Sequence, residues 1–84
     1  MKSKDLDGAW RPLMSRRLLV SLLPVAGAPD RAVRGVLWEQ RGPCLVLKAA
    51  ELIETGQENR RIDGEIVVER RNIDFIQVLP TPED

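Results

Sequence analysis

The stretch AVRGVLWEQ, residues 32–40, decides the fold. Val33, Gly35 and Leu37 alternate with Arg34, Val36 and Trp38, which is the period of two expected of a strand with one face on a core. A glycine on the apolar face of such a strand signals a sharp bend or the close approach of another backbone. The stretch ends at Arg41-Gly42-Pro43, whose residues form a tight turn. The segment CLVLKAAELIE, residues 44–54, then begins strand-like at Leu45, Val46 and Leu47, while its second half fits either helix or strand. A hairpin is thus expected at the middle of the chain.

Outward from this hairpin the signals vary in strength. On the C-terminal side, TGQENRR reads as a polar loop, and Asp63-Gly64 leads into EIVVE, where Ile66 and Val68 share a face. Arg70-Arg71-Asn72 makes a short connection to a final strand, IDFIQVL, and Pro80 and Pro82 prevent further pairing. On the N-terminal side, VAGAPDR is a loop. LMSRRLLVSLL, residues 13–23, fits a short helix with Leu13, Arg17 and Val20 loosely aligned, or a turn followed by the strand RLLVSLL. Residues 1–12 read as an arm.

Five short strands in 84 residues predict a mainly β chain, a small, strongly bent five-stranded barrel with an N-terminal arm or short helix. The expected organisation is an arm or short helix over 1–16, a barrel domain over 17–79 and a tail over 80–84. The length allows one domain with a modest core. With 43% apolar and 31% charged residues the chain has the composition of a folded globule.

Charge totals give no general pull toward nucleic acid or anionic membrane, because 13 basic residues balance 13 acidic ones. Their distribution is uneven. Residues 1–41 hold eight basic and four acidic groups (+4), and residues 42–84 hold five basic and nine acidic groups (−4). The two halves either neutralise each other within the fold or let the basic segment dock on the acidic face of a neighbour.

The same composition argues against catalysis. The chain has neither histidine nor tyrosine, so the commonest general base is missing. Ser3, Ser15 and Ser21 have no base at a recognisable spacing. Cys44 is the single cysteine, read as a buried small apolar residue of a strand rather than a nucleophile. Glu51 and Glu54, or Asp63 and Glu65, read as solvated acids. Asp5-Leu6-Asp7-Gly8 lacks the remaining ligands of a calcium loop, and one cysteine without histidine cannot build a zinc site. No catalytic, metal or cofactor-binding residue is therefore expected, and no small-molecule substrate is inferred.

Arg16-Arg17, the apolar run Leu18–Leu23 and Ala26-Gly27-Ala28 superficially resemble a signal peptide, but the run is short and broken by Ser21 and Pro24. It is too short to span a bilayer. The expected setting is the cytoplasm or the interior of a large assembly, without secretion or membrane insertion.

From Arg17 to Leu79 the chain resembles the Sm-like (LSm) family, which the notation G-x-L, N-L-V-L-x-x-A and I-R-G-x-N-I-x-x-I summarises. Gly35, Leu37, Leu45, Leu47, Ala50 and Glu51 carry the likeness to the first motif, and Asn72, Ile73 and Ile76 to the second. An SH3-like barrel of another family fits the same pattern. The resemblance implies a bent five-stranded barrel that joins neighbours edge to edge in rings. Its RNA-contacting residues are not matched. The family's Asp and Asn before the third strand fall near Arg41 and at Cys44, its arginine falls at Glu69, and its glycine at Arg70. A carboxylate there repels phosphate.

These features predict a structural, non-enzymatic module binding protein subunits, either copies of itself or a larger assembly. Trp10 and Arg11 in the arm and Arg34 and Trp38 on the barrel wall are the expected contacts, since Trp and Arg dominate interface hot spots. Trp10 has a second reading, folding back to cap its own core. A virion or other large particle, such as a phage capsid or connector, is a setting suggested by fold and size alone. The alternative is an RNA-binding Sm-like ring, with Arg41, Arg60, Arg61, Arg70 and Arg71 as possible nucleic-acid contacts.

Overall fold

A computed structural model describes residues 10–80. Residues 1–9 of the expected arm and the last residues of the tail, 81–84, lie outside the described residues. Five antiparallel strands form one sheet: β1 (Arg17–Leu22), β2 (Arg31–Arg41), β3 (Cys44–Glu54), β4 (Arg60–Glu69) and β5 (Ile73–Val78). Their order is β4-β3-β2-β1-β5, so the last strand returns beside the first and β4 and β5 are the two edges. Short 3-10 turns, Arg11–Leu13 and Arg70–Asn72, precede β1 and join β4 to β5.

Residues 13–23 resolve into a turn and a strand. Pro12 opens the 3-10 turn, and the chain then enters β1, where Leu18 and Val20 are fully buried and Arg17 is exposed. Leu18 and Val20 pair with Gly35 and Val33, so one apolar face continues across both strands. Gly42 has φ +54° and Pro43 follows it, which places glycine at the first central position of a two-residue hairpin, as a type II′ turn requires.

Strands β2, β3 and β4 are longer than the sequence suggests, at 11, 11 and 10 residues. The second half of residues 44–54 is strand throughout, and Arg60 and Arg61 open β4 rather than close a loop. The reason is a set of bulges, each inserting one extra residue and resetting the alternation. The β2–β3 register passes from Arg34↔Glu51 to Val36↔Lys48, leaving Ala49 as the extra residue. It passes next from Leu37↔Leu47 to Glu39↔Val46, leaving Trp38 as the extra residue. Between β1 and β5, Ser21↔Phe75 is followed by Leu22↔Ile73, and the extra residue is Asp74.

The core consists of Leu18, Val20, Val33, Leu37, Leu45, Leu47, Ala50 and Val68, with Trp10, Leu13, Ile62, Ile66, Ile73 and Ile76 packed around it. The β4–β5 connection shows how the sheet encloses it. Five strands laid flat, about 4.8 Å apart, would put the outer strands roughly 19 Å from each other. Even fully extended, the four steps from Glu69 to Ile73 cover only about 14 Å. The sheet therefore curls, and this end of β4 lies near the start of β5. No ladder joins β4 to β5, so the sheet stays open.

Gly35 permits the curl. A Cβ placed there would lie 3.0 Å from the Lys48 carbonyl oxygen and 3.1 Å from Ala50 Cβ. Opposite it, Ala49 holds φ +50°, a conformation costly to any residue with a side chain. We expect Gly35→Ala to destabilise the fold by about 1–3 kcal/mol through overpacking. Ala49→Gly should stabilise it by about 1 kcal/mol, raising the melting temperature by roughly 4–8 °C. Thermal unfolding followed by circular dichroism checks both, and opposite signs at these adjoining positions are the diagnostic outcome.

Candidate functional site

Directly paired residues of neighbouring strands project on the same face of a sheet, so the register writes out the outer surface row by row. One row is Phe75, Ser21, Ala32 and Ile53; the next is Gln77, Leu19, Arg34, Glu51 and Arg61. Beyond it lie Arg17 and Val36, and then the bulge that carries Trp38.

Trp38 is 54% exposed: alternation after buried Leu37 points it outward, and it is the extra residue of the bulge there. The Lys48 ammonium sits 3.9 Å from its ring centroid, a cation–π contact worth about 0.5–1 kcal/mol at an exposed site. Lys48 also approaches Glu65 at 4.0 Å, and Glu65 pairs with Arg41 at 3.5 Å. Arg41 donates two hydrogen bonds to Glu39, at 3.0 and 3.2 Å. The hydrogen bond from Arg41 holds the Glu39 carboxyl below its ordinary pKa, and the same bond raises that of Arg41. Arg34 pairs with Glu51 directly across the β2–β3 ladder.

The residues expected to bind a partner do not form one cluster. Arg34 and Trp38 stand on the outer face of β2. Trp10 is half-buried against the core, which is the capping role, while Arg11 beside it is exposed. The expected nucleic-acid contacts are largely occupied by acids. Arg41 is engaged as described, Arg60 pairs with Glu54 at 3.7 Å, and Arg71 with Glu69 at 3.2 Å. Among the described residues, Arg61 and Arg70 have no carboxylate partner.

Cys44 is half-buried rather than buried, and its cross-strand partner is Glu69. These two positions, where the sequence departs from the Sm-like motifs, are thus neighbours on β3 and β4. The spot presents a thiol and a carboxylate, a poor surface for phosphate.

Sequence reasoning missed three features. Arg17 faces outward, as its place one residue before buried Leu18 could have shown. Phe75 is 58% exposed because the bulge at Asp74 separates inward-facing Ile73 and Ile76 by three residues. A groove of 410 Å³ lies at the mouth of the curl, lined by Leu22, Leu23, Leu52, Ile66, Val68 and Asn72, among others. No metal-holding group of three or more His, Cys, Asp or Glu side chains occurs among the described residues. No helix among them is long and apolar enough to cross a membrane. No protein-family model and no curated protein matches this sequence.

The two tryptophans should report their different environments. In Trp10→Phe, the remaining Trp38 should be strongly quenched by acrylamide; in Trp38→Phe, Trp10 should be shielded. Trp10→Ala should cost about 2 kcal/mol, below the value for full burial, whereas Trp38→Ala should leave stability within about 1 kcal/mol of the parent. Equal quenching of both rings would contradict the packing of Trp10 on the core.

Proposed function

We propose that this protein is a non-enzymatic assembly module that joins protein subunits, copies of itself first, through the edges of its sheet. The observation that carries the proposal is that, among the described residues, neither edge strand has a further strand paired to it, and both present apolar side chains. Val67 on β4 is 52% exposed, and Phe75 and Val78 on β5 are 58% and 38% exposed.

An unpaired edge offers a row of backbone donors and acceptors to another strand, and proteins that do not use an edge defend it with charge, proline or a bulge. Here the defence is partial. The first half of β4 carries Arg60, Arg61, Asp63 and Glu65, but Ile66-Val67-Val68 runs uncharged to Glu69. In β5 the acid Asp74 occupies the bulge, and Phe75 through Val78 carry no charge. The two edges differ, so a contact of β4 with the β5 of a neighbour is heterologous and generates a ring when the rotation closes.

The strand order, the curl at Gly35 and the turn ahead of β1 support the finer description as a small bent barrel of Sm-like type. The pairing of Cys44 with Glu69 supports protein over RNA as the partner, because these two positions, where the resemblance would put RNA contacts, carry no donor suited to phosphate. A virion or other large particle is the proposed setting on grounds of size and fold analogy.

Light scattering coupled to size exclusion tests the proposal. The protein should run as a multiple of its monomer mass, and Val67→Glu or Phe75→Glu alone should lower that mass, since every contact uses one edge of each kind. Both variants should retain the circular dichroism spectrum of the folded chain. A parent protein that stays monomeric as concentration rises, and that captures no companion subunit, would overturn it.

A further inference from the structure

A second surface feature stands apart from the sheet edges and from the Trp38 cluster. On the outer face, a groove of 470 Å³ crosses the sheet where Ala49 bulges, and Arg17, Arg34 and Arg61 all line it beside Val36. Glu51 is its one carboxylate among the described residues. The register explains the gathering: Arg34 opposes Glu51, and Glu51 opposes Arg61, so three charged side chains of β2, β3 and β4 share one row. Arg17 of β1 enters from the adjacent row, where it opposes Val36.

Three guanidinium groups around one carboxylate leave two positive charges without compensation. Arg34 is paired with Glu51, while Arg17 and Arg61 are exposed and have no carboxylate partner among the described residues. Among the described residues, Arg41, Arg60, Arg71 and Lys48 each meet an acid, whereas Arg11, Arg31 and Arg70, like Arg17 and Arg61, do not; what sets Arg17, Arg34 and Arg61 apart is that all three line one groove. Guanidinium forks match the oxygens of phosphate in geometry as well as charge. Gly35, Val36 and Ala49 complete the lining with small or apolar side chains.

We propose that this groove is a binding site for a phosphate group, held by Arg17, Arg34 and Arg61, with Glu51 as an internal counter-ion that moderates its affinity. The site lies on the face of the sheet rather than its edges, and it operates whether or not the protein assembles. A free phosphate compound and a phosphate within a nucleic-acid strand share this chemistry, and the test separates them.

Isothermal titration calorimetry with inorganic pyrophosphate, with a short oligouridylate and with an oligoglutamate peptide provides that test, using the whole chain. Arg17→Gln and Arg61→Gln should each weaken phosphate binding about tenfold, the loss of one charge-assisted hydrogen bond. Glu51→Gln should strengthen it by about threefold to tenfold by releasing Arg34. Arg31→Gln, outside the groove, should change nothing.

Binding of pyrophosphate with this pattern supports a small phosphorylated ligand. Binding of the oligonucleotide, with the salt slope falling by about one for each arginine removed, supports a strand as the source. Weaker binding in Glu51→Gln, indifference to Arg17→Gln and Arg61→Gln, tighter binding of the peptide than of either phosphate ligand, or no binding of either phosphate ligand would each overturn the proposal. Circular dichroism spectra of the variants identify any loss of fold.

Discussion

The contact on which the structure depends is the approach of Gly35 to the backbone of β3. With the Lys48 carbonyl oxygen and Ala50 Cβ only 3.0 and 3.1 Å from where a side chain would begin, β2 and β3 come closer here than substituted strands ordinarily do. A sheet whose middle strands close up on one face must curl toward that face. The extra residue on β3, Ala49, takes up the difference in path length between the concave and convex sides. The glycine and the bulge are two halves of one bend.

The curl then dictates the rest. It brings the two edges near enough for the turn Arg70–Asn72 to join β4 to β5, which a flat sheet would forbid. It wraps one apolar face around Leu18, Leu37 and Leu47, each fully buried, so a short chain acquires a core without a second layer. It also leaves two edges unpaired, because the connection draws β4 and β5 together at one end without aligning them as a ladder. The chain gains a core by bending, and it retains the open edges through which assembly is proposed.

Legibility in the sequence follows the same division. Where the period of two is unbroken, as from Val33 to Leu37, the strand, its faces and the outward direction of Trp38 could all be read. The glycine within that stretch correctly signalled a close approach. Where a bulge intervenes, the signal fails. Leu45 and Leu47 point inward, but after Ala49 the inward residues are Ala50 and Leu52, so the pattern of residues 44–54 shifts phase and its second half reads equally as helix. Ile73 and Ile76 are likewise out of step across Asp74, and Phe75 is hidden from any simple alternation.

The site was less legible than the fold because it depends on which residues become opposite one another across strands. Arg34, Glu51 and Arg61 are separated by 17 and ten positions in the chain, and no local pattern relates them. Only the bulge-shifted register sets them in one row; if Ala49 took a regular place in the ladder instead of bulging, Arg34 would oppose Ala50 and the row would dissolve. Basic residues were instead singled out in the sequence by adjacency, as pairs at 60–61 and 70–71, which on the surface are partly cancelled by Glu54 and Glu69. Adjacent residues of a strand point to opposite faces, so a doublet marks charge density but seldom a site. Cross-strand rows make sites in a sheet of this kind, and the bend that builds the core also sets which rows exist.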